Sequence, residues 1–314
     1  MTYWEKERLR SPEDVLKEAG FDVSERCCSR PSCFDFAARK NGTLILVKAQ
    51  LDIDNLSLGD SLELKAISKC VSAASLLVGE KAREKPLEDD TVYSRYEVSA
   101  VTPKTFEGII VGKVYPLIHA GPGGYYVEIH SEAIKKRRQE LGLSVGEMAE
   151  MIGISRRTLY GYERGMAKAS VPAAYNLIYI LGFPVAKPIN VFESSSQRRK
   201  CFLSAAKFAI AKSKLLQRIL AKFARYHITT VKKAPFDFVI SVPEEKVRII
   251  GGVANDKEQG LNKRVDEILS VSRVVRAHPI LVTEERKRST RDILCICKEE
   301  LSKIKSAEDL ISQL

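Results

Sequence analysis

Long apolar runs are missing from this sequence of 314 residues. No uninterrupted apolar segment approaches the roughly 20 residues that a membrane-spanning helix requires, and MTYWEKERLRSPEDV is too polar for a secretory signal. We therefore expect a cytoplasmic protein without a membrane partner. An apolar content of 45% and a charged content of 29% are typical of chains that build hydrophobic cores, and the length allows two or three domains.

Histidine and cysteine are too few and too scattered to predict a metal site. The chain has four histidines and seven cysteines, an odd number with no paired C-x-x-C motif. Zinc sites require such ligands in closely spaced sets, whereas isolated cysteines on strands are usually small buried apolar residues. We therefore expect reduced thiols, no metal and no cofactor.

Acidic residues are absent from positions 194–236, within a chain whose net charge is +11. Apolar residues recur at helical spacing in this segment, which predicts a helix with one packed face and one basic face. The basic face is either simply solvated or forms an accessory surface that binds phosphates independently of sequence. The candidate residues for that accessory surface are Lys207, Lys212, Lys214, Arg218 and Lys222.

Four short amphipathic segments follow one another between residues 131 and 182. Each begins with a serine that can cap a helix, at positions 131, 144, 155 and 170. Ser144 and Glu147 form a capping-box pattern, and Gly153 ends that helix. Two helices joined by a tight turn at Gly153 are a helix-turn-helix. The apolar residues expected to face inward are Ile134, Leu141, Met148, Ala149, Ile152, Leu159, Tyr162, Leu177, Ile178 and Leu181.

This region resembles the DNA-binding domains of the Cro and lambda-repressor (Xre) superfamily, with matching residues from about Arg138 to Gly165. In that family an arginine of the first helix pairs with the glutamate of a terminal E-x-G motif, which implies a pair between Arg138 and Glu163. Bases are contacted from the start of the recognition helix, which implies Arg156 and Arg157. Arginine at that place most often binds guanine.

The sequence departs from the family pattern at two positions. The glutamine that commonly opens the helix before the turn is Val145 here, and a later base-contacting position is Gly161, which has no side chain. Modest sequence discrimination is therefore expected, and contact with phosphates alone is the alternative for the two arginines. The resemblance implies double-stranded DNA as the partner and a homodimer on palindromic sites. The predicted DNA-binding residues are Ser144, Val145, Ser155, Arg156, Arg157, Thr158, Tyr160, Gly161 and Lys168.

The segments before and after the helix-turn-helix share one predicted order of elements, beginning with a helix, three strands, a helix and a strand. The run Phe34-Asp35-Phe36 recurs as Phe236-Asp237-Phe238, and RYEVSAV aligns with RDILCIC. A period of about 200 residues suggests duplication of one α/β domain. The alternative is that two small α/β domains share only their hydrophobic patterns.

The shared order resembles the restriction-endonuclease-like core, as in archaeal Holliday-junction resolvases. Such enzymes need an aspartate and then an acidic-x-lysine motif on the next strand, so that carboxylates hold a divalent ion. Asp35 and Lys48 match this pattern, but the acidic position is Leu46. The second copy keeps Asp237 and lacks both later groups. We therefore expect two degenerate domains without enzyme activity, and residual metal-dependent cleavage is the alternative.

The sequence thus predicts an α/β plus all-α protein, in which two related restriction-endonuclease-like α/β domains flank a lambda-repressor-like helical domain. The predicted boundaries are 1–112 for the first α/β domain, 113–130 for a β-hairpin connector around GPGG, 131–184 for the helix-turn-helix domain, 185–197 for a linker rich in proline and serine, and 198–314 for the second α/β domain. The hairpin is expected to pack structurally, with a DNA wing or a dimer contact as alternatives. The two α/β copies pair either within one chain or between chains.

The predicted function is that of a DNA-binding transcriptional regulator that acts through its helix-turn-helix. The flanking domains would then supply dimer contacts or accessory contacts with nucleic acid. The alternative is a divergent endonuclease-like protein that processes nucleic acid, or an architectural binding protein that uses the basic helix.

Overall fold

A computed structural model describes residues 10–193, 214–223, 226–242, 247–254, 258–284 and 293–304. The chain divides into two compact units. Among the described residues, the first unit contains 51–53 and 78–191, and the second contains 10–50, 54–77 and the residues from 192 onward. This division differs from the five predicted segments, whose boundaries stay a prediction. Within the described ranges, no helix is long and apolar enough to cross a membrane.

The first half of the second unit is an antiparallel hairpin extended into a sheet. Its elements are α1 (Pro12–Glu18), β1 (Asp22–Val23), β2 (Phe36–Lys40), β3 (Thr43–Ala49), α2 (Leu58–Val71) and β4 (Ala74–Val78), with the strands in the order β1-β2-β3-β4. Ser11 caps α1, where its hydroxyl accepts a hydrogen bond from the Asp14 N–H. Between β2 and β3, Asn41 has φ 47° and Gly42 has φ 83°. Two successive positive φ angles define the type I′ turn that an Asn-Gly pair predicts.

The second half of this unit repeats the order of strands and helices. Its elements are α8 (Lys214–Lys222), β12 (His227–Thr230), β13 (Phe238–Val242), β14 (Val247–Val253), α9 (Leu261–Val275), β15 (His278–Thr283), β16 (Leu294–Cys297) and α10 (Lys298–Lys303). The sheet order is β12-β13-β14-β15-β16. The first three strands pair antiparallel, and β14, β15 and β16 pair parallel. Each of these elements overlaps one that the sequence predicts.

The two halves of the second unit pack against each other within the chain. Helix α2 of the first half lies on β12 and β13, and α9 of the second half lies on β2. The rings of Phe34 and Phe236 face each other with their centroids 6.2 Å apart. The sequence left pairing within one chain and pairing between chains open, and the structure has the intramolecular contact.

Among its described residues, the first unit joins a mixed sheet to five helices. Its elements are β5 (Lys81–Ala82), β6 (Lys85–Pro86), β7 (Thr91–Arg95), β8 (Val98–Val101), α3 (Pro103–Ile110), β9 (Ile118–Gly121), β10 (Gly124–Val127), α4 (Ser131–Glu140), α5 (Val145–Ile152), α6 (Arg156–Glu163), β11 (Ala169–Ser170) and α7 (Val171–Leu181). Strands β8, β7, β9, β10 and β11 are neighbours in that order. The hairpin predicted at GPGG is β9 and β10, with Gly121 paired to Gly124.

Several features of the first unit were not predicted. Strands β5, β6, β7 and β11 are short or strongly polar, so they lack the alternating apolar pattern that indicates a strand. The turn between β7 and β8 is formed by Tyr96 (φ 48°) and Glu97 (φ 66°). Glycine or asparagine normally occupies such positions, so no residue pattern predicted this hairpin.

Three local predictions are wrong. Leu141 and Ile178 were expected to face inward but are 41% and 39% exposed, because Leu141 lies beyond the last residue of α4 and Ile178 lies at the edge of the apolar stripe of α7. Ser131 does not cap α4, since it is already helical and His130 precedes it at the cap position. Within the segment predicted as a linker, Val185 is fully buried and its carbonyl accepts a hydrogen bond from the His130 N–H, and the linker itself stays a prediction.

Candidate nucleic-acid interface

Helices α4 to α7 enclose one hydrophobic core. Ile134, Met148, Leu159 and Leu177 are fully buried in it. Val127 of the hairpin belongs to the same core, and β10 pairs with β11, which lies between α6 and α7. The hairpin therefore packs as a structural part of the helix-turn-helix domain.

Serine caps fix the two helices of the helix-turn-helix motif, α5 and α6. The Ser144 hydroxyl accepts a hydrogen bond from the Glu147 N–H, and the Glu147 carboxylate accepts one of 2.7 Å from the Ser144 N–H. The hydrogen bond from the Ser144 N–H, followed by one from the Ser144 hydroxyl, lowers the pKa of the Glu147 carboxyl. Gly153 ends α5 at φ 79°, and Ser155 caps α6 by accepting from the Thr158 N–H. Two of the predicted DNA-binding residues, Ser144 and Ser155, thus have a structural task as caps.

A buried ion pair ties α4 to the end of α6. The Arg138 guanidinium donates to both carboxylate oxygens of Glu163, at 2.5 and 3.0 Å, and also to the Leu143 carbonyl at 2.8 Å. Both side chains are at most 10% exposed. The carboxylate raises the pKa of Arg138. This is the pair that the family resemblance implies, and it holds the recognition helix α6 against α4.

The start of α6 presents two cations to solvent. Arg156 and Arg157 are exposed, and within the described part of the chain neither guanidinium forms a hydrogen bond or an ion pair. One turn further on, Tyr160 is 48% exposed and the Arg164 guanidinium stacks on its ring at 4.3 Å. A β-carbon added at Gly161 would meet only the Ala167 side chain, at 3.7 Å. Arginines with all their donors available are well suited to bases or phosphates.

Other predicted contact residues present less to solvent. Val145 is partly buried and packs against the core, and Thr158 is partly buried with its hydroxyl 2.8 Å from that of Ser155. Lys168 is exposed, but its ammonium lies 2.9 Å from the carboxylate of Glu128, the residue that follows β10. Glu128 also contacts His119 at 3.2 Å. Lys168, one of the predicted DNA-binding residues, therefore has an internal partner that competes with DNA.

Sequence reasoning missed three residues of this face. Glu128 pairs with Lys168, Arg164 stacks on Tyr160, and Gly146 lies directly beneath the Arg156 guanidinium. The only sequence signal among them is Gly146, since glycine is unfavourable in the first turn of a helix unless its missing side chain matters.

The accessory basic surface is described only in part. Lys207 and Lys212 lie outside the described residues. Lys214 and Arg218 are exposed on α8, whose Leu215 and Ile219 are buried, as the amphipathic pattern predicts. Lys222 differs, because it is partly buried and its ammonium donates to the Leu301 carbonyl. It therefore helps to fix the helix in place.

The Asp35 carboxylate in the second unit is bound by a lysine and a backbone N–H in place of a metal-ligand set. Its carboxylate accepts hydrogen bonds from the Lys48 ammonium at 3.0 Å and from the Ala49 N–H at 2.7 Å. Lys48 donates also to the Ser32 carbonyl. Leu46, at the position of the expected second carboxylate, is fully buried. One carboxylate and one ammonium remain of the pattern.

The Asp237 carboxylate has more basic partners than the Asp35 carboxylate. Its carboxylate accepts from the Val253 N–H at 2.6 Å, from Arg30 at 2.9 Å, and from Arg264. Arg264 is 1% exposed and also binds Glu258. Two guanidinium groups thus occupy the positions around Asp237 that a divalent ion would need. Among the described residues, no group of three or more His, Cys, Asp or Glu side chains could hold a metal ion.

Comparison with protein-family models agrees with both parts of this architecture. Residues 5–116 match the PD-(D/E)XK superfamily domain, and residues 134–186 match a helix-turn-helix family. The fold and the site thus define a helix-turn-helix protein that also carries a PD-(D/E)XK superfamily domain. Both assignments confirm what the sequence motifs indicated for these segments.

Full-length relatives place the chain more narrowly. A protein of Methanosarcina barkeri is 31% identical over 308 residues, which cover 95% of this chain and 93% of its own. Proteins of Pyrococcus furiosus and Archaeoglobus fulgidus are each 30% identical, covering 98% of this chain and 96% of theirs. All three carry the name "Putative HTH-type transcriptional regulatory protein". The chain belongs to this family.

Proposed function

We propose that this protein is a DNA-binding transcriptional regulator whose Cro-like helix-turn-helix occupies operator DNA. The observation that carries the proposal is the pair of exposed arginines, Arg156 and Arg157, at the start of a helix held rigidly by caps and by the Arg138–Glu163 pair. A fixed helix start with free guanidinium donors fits the major groove, where bidentate contacts with guanine discriminate between sequences. The names of the relatives support the same function.

The protein acts as a homodimer in this proposal. The outer face of α7 exposes Tyr175 (69%), Ile178 (39%) and Tyr179 (83%) at helical spacing. Aromatic and aliphatic side chains grouped in this way suit a symmetric contact with a second copy. A dimer would place two recognition helices on half-sites about one helical turn apart.

The second unit serves as a non-catalytic platform. The two halves bind their aspartates alike, since Asp35 accepts from the Ala49 N–H and Asp237 from the Val253 N–H. This shared pattern supports a duplicated endonuclease-like fold. In both halves a basic side chain, Lys48 or Arg264, lies at the carboxylate. We therefore propose that the protein does not cleave DNA and that it works in the cytoplasm, with Lys214 and Arg218 as accessory phosphate contacts.

A competition assay tests the regulator function. The probe is a short duplex carrying the sequence that the wild-type protein selects from a random library, and the competitor is random duplex. Arg156→Ala with Arg157→Ala should reduce discrimination about 10- to 100-fold, because the loss of one bidentate contact with guanine costs about 1–3 kcal/mol. Lys135→Ala with Lys136→Ala is the matched control, since it removes two exposed charges from α4. Unchanged discrimination in the α6 variant would refute the proposal.

A nuclease assay addresses the alternative function. Plasmid and branched DNA are incubated with the protein and Mg²⁺ or Mn²⁺. Metal-dependent cleavage that Asp35→Ala abolishes would establish an endonuclease and overturn the non-catalytic platform. We expect the wild-type protein and the variant to leave the DNA equally intact.

A further inference from the structure

Gly146 is the second residue of α5, and its missing side chain leaves room for a neighbour. A β-carbon added there would lie 3.0 Å from Nε of Arg156 and 3.1 Å from both Cζ and Nη2 of the same group. The guanidinium therefore rests on the backbone of the preceding helix of the motif. Nearly every real β-carbon keeps a greater distance from its neighbours, so a side chain at position 146 would displace the guanidinium.

The backbone at Gly146 does not itself require glycine. Its φ lies in the range that any L-amino acid adopts, in contrast to Gly153 at φ +79°. Glycine within a helix lowers stability relative to alanine, because it loses more backbone freedom on folding. The residue therefore weakens α5 without serving its conformation, and the Arg156 guanidinium is the group that uses the space.

Arg156 gains little else to hold its side chain. It is exposed, and within the described ranges no carboxylate or carbonyl binds its guanidinium. A long side chain in water samples many rotamers, and fixing them at a DNA surface costs conformational entropy. Contact with the backbone at Gly146 restricts those rotamers, so part of the ordering is complete before DNA arrives.

We infer that Gly146 is a positioning residue for DNA recognition, which seats the Arg156 guanidinium in its binding orientation. This rests on the proposed function, in which Arg156 contacts DNA. The arginine is the group that touches the ligand, and Gly146 acts through it.

The experiment measures binding and stability together in full-length protein. The probe is the duplex selected by the wild-type protein. Gly146→Ala should weaken binding about 3- to 10-fold, a fraction of the loss expected for a bidentate contact. Its Tm should equal or exceed that of the wild type, because alanine favours the helix and the displaced guanidinium can move into water. A purely structural role for Gly146 predicts a lower Tm.

Gly59→Ala is the matched control. Gly59 is likewise the second residue of a helix, α2, and an added β-carbon there would meet only the Ser57 hydroxyl, at 3.7 Å. This control should bind the duplex as the wild type does, with the same direction of change in Tm.

The Arg156→Ala background separates the inference from the function on which it rests. In that background Gly146→Ala should cause no further loss of affinity. Wild-type affinity of the single Gly146→Ala variant, or an equal loss in both backgrounds, would overturn the positioning role. If Arg157→Ala alone weakens discrimination, the proposed function stands and the inference about Gly146 falls. If neither arginine matters, the proposed function falls as well.

Discussion

Glu63 of the first half and Glu267 of the second half of the second unit make equivalent contacts, because each binds backbone N–H groups of the other half. The Glu267 carboxylate accepts hydrogen bonds from the Cys28 and Ser29 N–H groups, and the Glu63 carboxylate accepts them from the Lys232 and Lys233 N–H groups. Each half supplies one carboxylate and one loop. The halves are therefore related by a local two-fold relationship, and each satisfies backbone donors of the other.

Removing one of these carboxylates should destabilise the second unit. Glu267→Ala leaves the Cys28 and Ser29 donors without their acceptor in a site where Glu267 is 1% exposed. We expect the free energy of unfolding to fall by about 2–4 kcal/mol, measured by urea denaturation. Glu284→Ala removes an exposed carboxylate of the same unit and should change it little. Equal stability of the two variants would contradict the reciprocal contact.

The Arg138–Glu163 pair should be needed for the stability of the helix-turn-helix domain. Arg138→Ala leaves the buried Glu163 carboxylate without its cation, and breaking such a pair costs about 3–5 kcal/mol. Arg138→Met combined with Glu163→Leu should recover part of that loss, because no buried charge remains. Thermal unfolding of the three proteins measures this. A double variant less stable than Arg138→Ala would be inconsistent with the explanation.

Releasing Lys168 should strengthen DNA binding. Glu128→Gln removes the carboxylate that lies 2.9 Å from the Lys168 ammonium, so phosphate no longer competes with an internal partner. We expect roughly 2- to 5-fold tighter binding to cognate and random duplexes alike, with a steeper salt dependence. Titrations at several salt concentrations measure both effects. The gain should vanish in a Lys168→Met background, and a gain that persists there would rule out release of Lys168.

The same cluster should make the first unit sensitive to acid. Burial, followed by the nearby Lys168 charge, lowers the pKa of His119 from its ordinary 6.5, and the Lys168 hydrogen bond lowers the pKa of Glu128 from 4.5. Both groups bind protons more weakly in the folded state, so folding becomes less favourable as the pH falls. The His119 contribution is lost below about pH 6.5 and the Glu128 contribution below about 4.5.

His119→Gln tests this dependence directly. The variant lacks the titrating ring, so its Tm should decline less between pH 6.5 and 4.5 than that of the wild type. Both proteins should decline further at lower pH, where Glu128 becomes protonated. Identical Tm profiles from pH 6.5 to 4.5 would exclude a role for His119.

Local patterns in the sequence predicted most elements correctly. The Ser144 capping box and the Asn41-Gly42 turn depend on neighbouring residues alone, so both structures could be predicted from the sequence. The contacts of Lys168 and Arg156 depend on residues brought together by tertiary folding. Glu128 is 40 positions away from Lys168 in the sequence, and no periodicity links them. The exposure of the Leu141 side chain likewise depends on how the neighbouring helices cover the end of α4.

The sites around Asp35 and Asp237 show the same limit on what local sequence can predict. Leu46 revealed the missing carboxylate from the sequence, but Arg30 and Arg264 around Asp237 did not follow from any motif. Arg30 comes from the other half of the unit, and Arg264 from the helix α9. Only the pairing of the halves within one chain brings Arg30 to Asp237.

Genome-wide mapping of bound DNA, followed by footprinting of one strongly bound site, tests whether the protein occupies operators through α6. We expect discrete sites at which two protected half-sites lie about one helical turn apart, and loss of those sites in the Arg156→Ala, Arg157→Ala variant. Uniform occupancy of the genome, with no site that depends on these two arginines, would contradict it.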